Sequence, residues 1–266
     1  MDLELSGKVV VVTGGSAGIG LAAARLFAAE GAHVAIVARE SERLRAAARN
    51  LDAGAAGRVI ACAADLGSAG EPERSIAEVA AALGPIDVLV NNVGLAYQAS
   101  FESVTDEQWD ELWQLNVMSY VRAARAVVPS MQSRGGGVIV NVASTAGKRP
   151  SPGMPHYSVT KAAVLSLSRL LADTYASQGI RSLAICPGPT TSEAWTSAGG
   201  LADQVARIKG ISHDAALEAT GAGRPMGRMA SPDEIAASIV FAASPRSSYT
   251  TGAAISVDGG SVPIII

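Results

Sequence analysis

Seven short apolar runs punctuate the chain: KVVVVTG at 8–14, HVAIVAR at 33–39, RVIACAAD at 58–65, IDVLVNN at 86–92, GVIVNVAS at 137–144, RSLAICPG at 181–188 and GAAISVDGG at 252–260. They are rich in β-branched residues and nearly continuous in apolar character. That suits parallel strands covered on both faces rather than strands with one wet face. Between them lie longer stretches of Ala, Leu, Arg and Glu that read as helices. Thr105 with Gln108 forms a capping-box pattern, and Ser231-Pro232-Asp233-Glu234 places a cap, a first-turn proline and acids at a helix start. Strand and helix alternating at this rhythm predict a single-domain α/β fold of Rossmann type over residues 1–266: a doubly wound, seven-stranded parallel sheet in three layers. Its ligand crevice lies beyond the carboxyl ends of the strands. The one long departure is 189–230, rich in Gly, Ala, Ser and Thr, which inserts before the last long helix and reads as a lid.

Composition narrows the partners. Lys and Arg total 21 against 24 for Asp and Glu, a net charge of −3 with no basic run, which argues against nucleic acid. Cys62 and Cys186 sit in strand-like runs without ligand spacing, so they read as core thiols rather than a disulfide or metal site. No apolar run approaches the roughly 18 residues of a membrane span, and the start MDLELSGK lacks a signal-like apolar core. A cytoplasmic protein is expected.

The first run is followed by TGGSAGIG at 13–20, which opens a helix. This is the context in which a glycine turn cradles a dinucleotide pyrophosphate: Gly14 takes backbone angles closed to other residues, and Gly18 and Gly20 permit close approach of ligand and helix. The helix N-terminus offers free N–H groups. Gly14, Ser16, Ala17, Gly18, Ile19 and Gly20 are the candidate contacts. At the end of the second run an acid would select NAD by bonding the ribose hydroxyl. Ala38 stands there instead, followed by Arg39, whose guanidinium suits the phosphate of NADP(H). NADP(H) is therefore favoured. NAD(H) remains the alternative, because Glu40 follows.

Taken together, TGGSAGIG, Asp65-Leu66, Asn91-Asn92-Val93-Gly94, Asn116, Ser144, Tyr157 with Lys161, and Pro187-Gly188 resemble, in order and spacing, the short-chain dehydrogenase/reductase family. The likeness is to its NADP-preferring and 3-oxoacyl-acyl-carrier-protein reductase-like members. The resemblance implies an NAD(P)-dependent oxidoreductase that interconverts a small-molecule ketone and a secondary alcohol. Tyr157 is then the general acid/base, Ser144 a donor to the substrate oxygen, and Asn116 the holder of a water that links Lys161 to solvent. Lys161 binds the nicotinamide ribose and, as a cation one helical turn away, lowers the phenol pKa from about 10 together with the oxidised nicotinamide. Asp65, Leu66, Asn92 and Gly94 belong to the adenine and ribose side. Pro187, Gly188, Thr190 and Ser192 belong to the nicotinamide side, although the family's apolar residue and Thr are here Thr190 and Ser192.

The substrate pocket is expected from 95–100, 148–156 and the lid with Trp195. Lys148 and Arg149 read as a solvated charge pair or as a greeting for an anionic substrate, and His156 and His213 as ordinary polar residues. Trp109 and Trp113, one helical turn apart, read as packing or interface. Relatives assemble commonly as tetramers, and the apolar tail Ile264-Ile265-Ile266 is expected to be covered by a neighbouring subunit. Three further readings stay open at this point: an NAD-linked dehydrogenase, a 3-oxoacyl-acyl-carrier-protein reductase specifically, and a dinucleotide-binding regulator or scaffold without catalysis.

Overall fold

In the computed structural model of the chain, residues 1–263 are described. The seven apolar runs are β1 (Val9–Thr13), β2 (His33–Ala38), β3 (Val59–Ala63), β4 (Val88–Asn91), β5 (Gly137–Val142), β6 (Ile180–Pro187) and β7 (Ala254–Val257). They pair in parallel as one sheet of order β3-β2-β1-β4-β5-β6-β7. The order reverses between β1 and β4, so the connections on either side diverge and leave a crevice at the carboxyl ends.

The continuous apolar strands are explained by what covers them. Successive side chains of a strand point to opposite faces. Val10, Val12, Val34 and Ile36 pack under α1 (Gly18–Ala29), α2 (Glu42–Asp52) and α11 (Pro232–Ala243). Val9, Val11, Ala35 and Val37 pack under α3 (Glu71–Leu83) and α5 (Ser119–Ser133), with Leu171 and Tyr175 of α7 (Pro155–Tyr175) at the edge. Cys62 and Cys186 are fully buried and free, and burial pushes their thiols up to about 12 and about 11 respectively.

Local signals held where they were strongest. Thr105 caps α4 (Asp106–Trp113) and Ser231 caps α11, each in a complete capping box with Gln108 and Glu234. Asn116 lies in a π turn, Gln114–Met118, into which α4 passes before α5 begins. Such bulges are frequent at functional sites.

The 189–230 segment carries three helices, α8 (Glu193–Thr196), α9 (Leu201–Lys209) and α10 (His213–Ala222). They follow α6 (Thr145–Lys148), α7 and β6 in the chain. Its two ends are stitched together: Thr190 bridges Ala230 in parallel, and Ala230 N donates to Pro189 O at 3.0 Å while Thr191 N donates to Ala230 O at 2.8 Å. His213 Nδ1 lies 2.6 Å from Asp203 Oδ1, tying α10 to α9. The tail at 264–266, expected to meet a neighbour, lies outside the described residues.

Candidate active site

One cleft runs across the carboxyl ends of the strands, with a volume of about 1720 Å³. That exceeds the roughly 300–1,000 Å³ of an ordinary small-molecule pocket. Along its wall stand Gly14, Ser16, Ala17, Gly18, Ile19, Arg39, Asp65, Leu66, Asn92, Gly94, Ser144, Tyr157, Lys161, Pro187, Gly188, Thr190 and Ser192. Of the residues singled out from the sequence, Gly20 and Asn116 do not line it; both act one layer behind.

At the dinucleotide end, the glycine turn is shaped by close approaches. Gly14 has φ +66°, and a Cβ there would sit 3.0 Å from both Asn92 Nδ2 and Val93 Cα. A Cβ on Gly20 would meet Gly14 O at 2.4 Å and Asn92 Nδ2 at 2.5 Å, so this glycine is a packing requirement between helix and strand. Asn92 Nδ2 donates to Thr13 O at 2.9 Å, and Thr13 Oγ1 accepts from Asn92 N at 2.8 Å; the two strand ends are thereby locked. The N-cap of α1 is Ala17, which makes no side-chain cap. The first-turn N–H groups of a twelve-residue helix are thus left facing the cleft, where an anion is favoured. A glycine cradle, an uncapped helix start and an exposed Arg39 on one wall fit a phosphorylated dinucleotide.

At the other end, two elements, α6 and α7, deliver the three reacting groups. Ser144 is the N-cap of α6: its Oγ accepts from Ala146 N at 3.1 Å, so its own hydrogen is directed to the cleft, where the Tyr157 phenol is one acceptor. Tyr157 and Lys161 occupy one face of the first turns of α7. Lys161 is 3 % exposed. Its Nζ donates to Val142 O at 2.9 Å and to Tyr120 Oη at 3.4 Å, and lies 5.8 Å from the centre of the Tyr157 ring.

Burial governs the electrostatics here. It pushes the Tyr157 phenol up from its usual value, with the Ser144 hydroxyl pulling the other way, and it pulls Lys161 down to about 7. The expectation that the Lys161 cation lowers the phenol pKa is therefore not met in the protein alone. Removing both groups from water disfavours both charged forms, and at 7 the amine carries on average about half a charge.

Asn116 stands one layer behind the cleft wall. Its side chain is buried and already spent: Oδ1 accepts from Leu95 N at 2.9 Å, and Nδ2 donates to Leu95 O at 3.0 Å and to Thr160 Oγ1 at 3.2 Å. It pins the loop after β4 to α7, one layer behind the lysine.

The substrate side is formed where three segments meet. Ala99 N donates to Gly153 O at 2.9 Å, and Gln98 N donates to Gln204 Oε1 of α9 at 2.7 Å. Met154, Trp195, Leu201 and Val205 complete the wall. Lys148 is not free to meet substrate, because its Nζ donates to Ala254 O at 2.7 Å and Ser256 Oγ at 2.9 Å of β7; Arg149 does line the cleft.

Three residues went unnoticed or undervalued in the sequence. Tyr120 is fully buried, donates to Val93 O and Val142 O, and supports Lys161; its only sequence signal is its place one turn after Asn116. His156, read as an ordinary polar residue, is fully buried edge-on to Tyr97 and Trp109, and neither ring nitrogen has a hydrogen-bond partner among the described residues. Arg43 reaches across the cleft to Glu193 at 2.7 Å.

The fold and site define a Rossmann-type enzyme of the kind that pairs a dinucleotide cleft with a serine, tyrosine and lysine. The family model for short chain dehydrogenases matches residues 8–199, and the chain belongs to the short-chain dehydrogenase/reductase family. It is 38% identical over 264 residues to the uncharacterized oxidoreductase YvrD of Bacillus subtilis, covering 98% of both chains. It is 33% identical over 262 residues to the 3-oxoacyl-acyl-carrier-protein reductase FabG of Chlamydia muridarum, covering 98% of this chain and 99% of that one. Among solved structures it is similar to L-sorbose reductase from Gluconobacter frateurii complexed with NADPH and L-sorbose, with a TM-score of 0.93, 38% identity and full coverage of both chains.

Proposed function

We propose that this protein is an NADP(H)-dependent oxidoreductase that interconverts a ketone and a secondary alcohol. The observation that carries this reading is the convergence of Ser144, Tyr157 and Lys161 on one cleft whose far wall presents Arg39 and the glycine turn. The NADPH held by the L-sorbose reductase structure supports the cofactor.

The bound nicotinamide supplies or accepts the hydride. The protein's own residues manage the proton and the charge. Ser144 Oγ–H donates to the substrate oxygen, offsetting the negative charge that develops there. Tyr157 Oη–H gives that oxygen its proton. A phenol whose pKa is raised by burial is fully protonated at neutral pH, the form that reduction requires. Lys161, anchored by Val142 O and Tyr120, holds the ribose of the cofactor and replenishes the phenol. Asn116 keeps Leu95, at the start of the substrate loop, in place. Trp195 and the three lid helices close over the site and exclude water.

The test is Tyr157→Phe, assayed as NADPH oxidation with a panel of ketones. A loss of about 100- to 10,000-fold in kcat with NADPH affinity retained is expected; undiminished turnover would remove the tyrosine from the mechanism, and absence of turnover in wild type with every ketone and alcohol would favour a dinucleotide sensor.

A homo-oligomer, of the tetrameric kind, belongs to the same reading. Val159 and Leu170 of α7 and Phe241 of α11 are exposed apolar side chains on helices that otherwise pack well. Cytoplasmic residence is part of it too, supported by two buried cysteines that are both free. Among the described residues no helix is long and apolar enough to cross a membrane.

A further inference from the structure

We infer that Arg43 and Glu193 form a strap across the dinucleotide cleft that makes the lid sensitive to the 2′-phosphate: Arg43 is a second phosphate ligand beside Arg39, and Glu193 is its resident competitor. This rests on the NADP(H) reading above and assigns to it two residues that neither the glycine turn nor the serine, tyrosine and lysine account for.

The geometry is as follows. Arg43 is the second residue of α2 and Glu193 the first of α8, and both line the cleft. Arg43 Nη1 lies 2.7 Å from Glu193 Oε2. Among the described residues this is the one ion pair whose two members both line the cleft, and it joins opposite walls. Glu193 directly follows Ser192, whose Cβ would lie 3.2 Å from a Cβ on Gly18 of the glycine turn. The strap thus lies beside the cofactor path, not at the outer edge of the lid.

The surrounding charges show which partner Arg43 prefers. Glu40 lines the cleft beside Arg39 and pairs with Arg45, and Glu42 pairs with Arg45 and Arg49, so the neighbouring carboxylates are engaged by arginines other than Arg43. Arg39 has no hydrogen-bond or ion-pair partner among the described residues, and Ser41 Oγ accepts from Leu44 N while its own hydrogen stays free. Arg39, Ser41 and Arg43 therefore form one wall of donors, of which only Arg43 is engaged. Its engagement is weak, because the two side chains are 62% and 53% exposed and water screens such a pair. A phosphate dianion offers a forked guanidinium shorter, charge-assisted bonds. Binding of a 2′-phosphate then takes Arg43 from Glu193 and releases the start of α8. A cofactor with a plain 2′-hydroxyl has nothing to exchange for the carboxylate, so the strap stays closed.

The experiment measures binding of NADPH, NADH, adenosine 2′,5′-bisphosphate and adenosine 5′-monophosphate by titration calorimetry to wild type and to the Arg43→Ala, Glu193→Gln and Arg39→Ala variants. Both strap residues are exposed, so the variants are expected to fold, and the two adenosine probes report on the phosphate wall without the nicotinamide. In Arg43→Ala, NADPH and the bisphosphate should bind about tenfold more weakly, while NADH and the monophosphate are unchanged. In Glu193→Gln, NADPH and the bisphosphate should bind about two- to fivefold more tightly, with NADH unmoved. If wild type binds NADPH no better than NADH and Arg39→Ala changes neither, the cofactor reading fails and the strap with it. If NADPH is preferred and Arg39→Ala weakens it, yet Arg43→Ala and Glu193→Gln leave all four ligands unchanged, the strap alone is refuted.

Discussion

The floor of the cleft and its roof are built on opposite physical terms. The floor is set by buried groups: Lys161 and Tyr120 are almost inaccessible, Asn116 makes three side-chain hydrogen bonds, and Gly20 leaves no room for a methyl group. The roof, 189–230, consists of short helices that bury Leu201, Ala202, Ala206 and Ala216 and whose polar ties to the facing elements include the Gln98–Gln204 hydrogen bond and the exposed ion pairs of Arg43 with Glu193 and Arg228 with Glu234. Proton transfer tolerates little misplacement, so the reacting groups stand at the start of α6, just beyond β5, and on the long α7. Substrate and cofactor must enter and leave, so what covers them is held by interactions that cost little to break.

The comparison is sharpest at Lys161. In Lys161→Met, turnover should fall by at least about 100-fold. The same substitution should also change the pH dependence of stability. The folded-state pKa is lowered from 10.5 to about 7, so between these values the unfolded chain holds a proton that the folded chain does not, and this contribution to stability rises with pH and is lost as pH falls toward 7. Between pH 7 and 8, below the range where the buried thiols act, wild type should gain roughly 1 kcal/mol per pH unit relative to the variant. Urea midpoints that run parallel for the two proteins over this range would show that the amine is not desolvated.

Next in size is Gly20→Ala, which drives a methyl group against Gly14 O and Asn92 Nδ2. A loss of about 1–3 kcal/mol in stability is expected, together with weaker dinucleotide binding. An unchanged melting temperature would mean that the turn is looser than the floor it belongs to. The smallest effect should come from the roof. Gln204→Ala removes the acceptor for Gln98 N, and KM for a ketone should rise about fivefold, equivalent to roughly 1 kcal/mol, at unchanged melting temperature. A fall in melting temperature without a change in KM would place this residue with the framework instead.

The same division governs what could be read from the chain before its folding was known. Continuous apolar runs identified all seven strands, since parallel strands leave no polar face, and both capping boxes formed as their spacing implied. The glycine turn, Ser144, Tyr157 and Lys161 came from motif spacing and meet on one cleft. What escaped depends on partners far apart in sequence. Arg43 and Glu193 are 150 positions apart. Tyr120 matters only because β4, β5 and α7 converge on its hydroxyl. The helical spacing of Tyr157 and Lys161 suggested mutual charge stabilisation, but the amount of water lost around each is not a property of spacing, and desolvation prevailed. His156 likewise carries no sequence sign of being enclosed by Tyr97 and Trp109.

The clasp between Thr190 and Ala230 has a consequence for how such enzymes diversify. Because the chain leaves and rejoins the framework at adjacent points, everything between them behaves as a removable cassette. A segment of another length or composition could be transplanted there without shifting β6 or α11, so new substrates can be sampled while the proton-transfer apparatus is inherited intact.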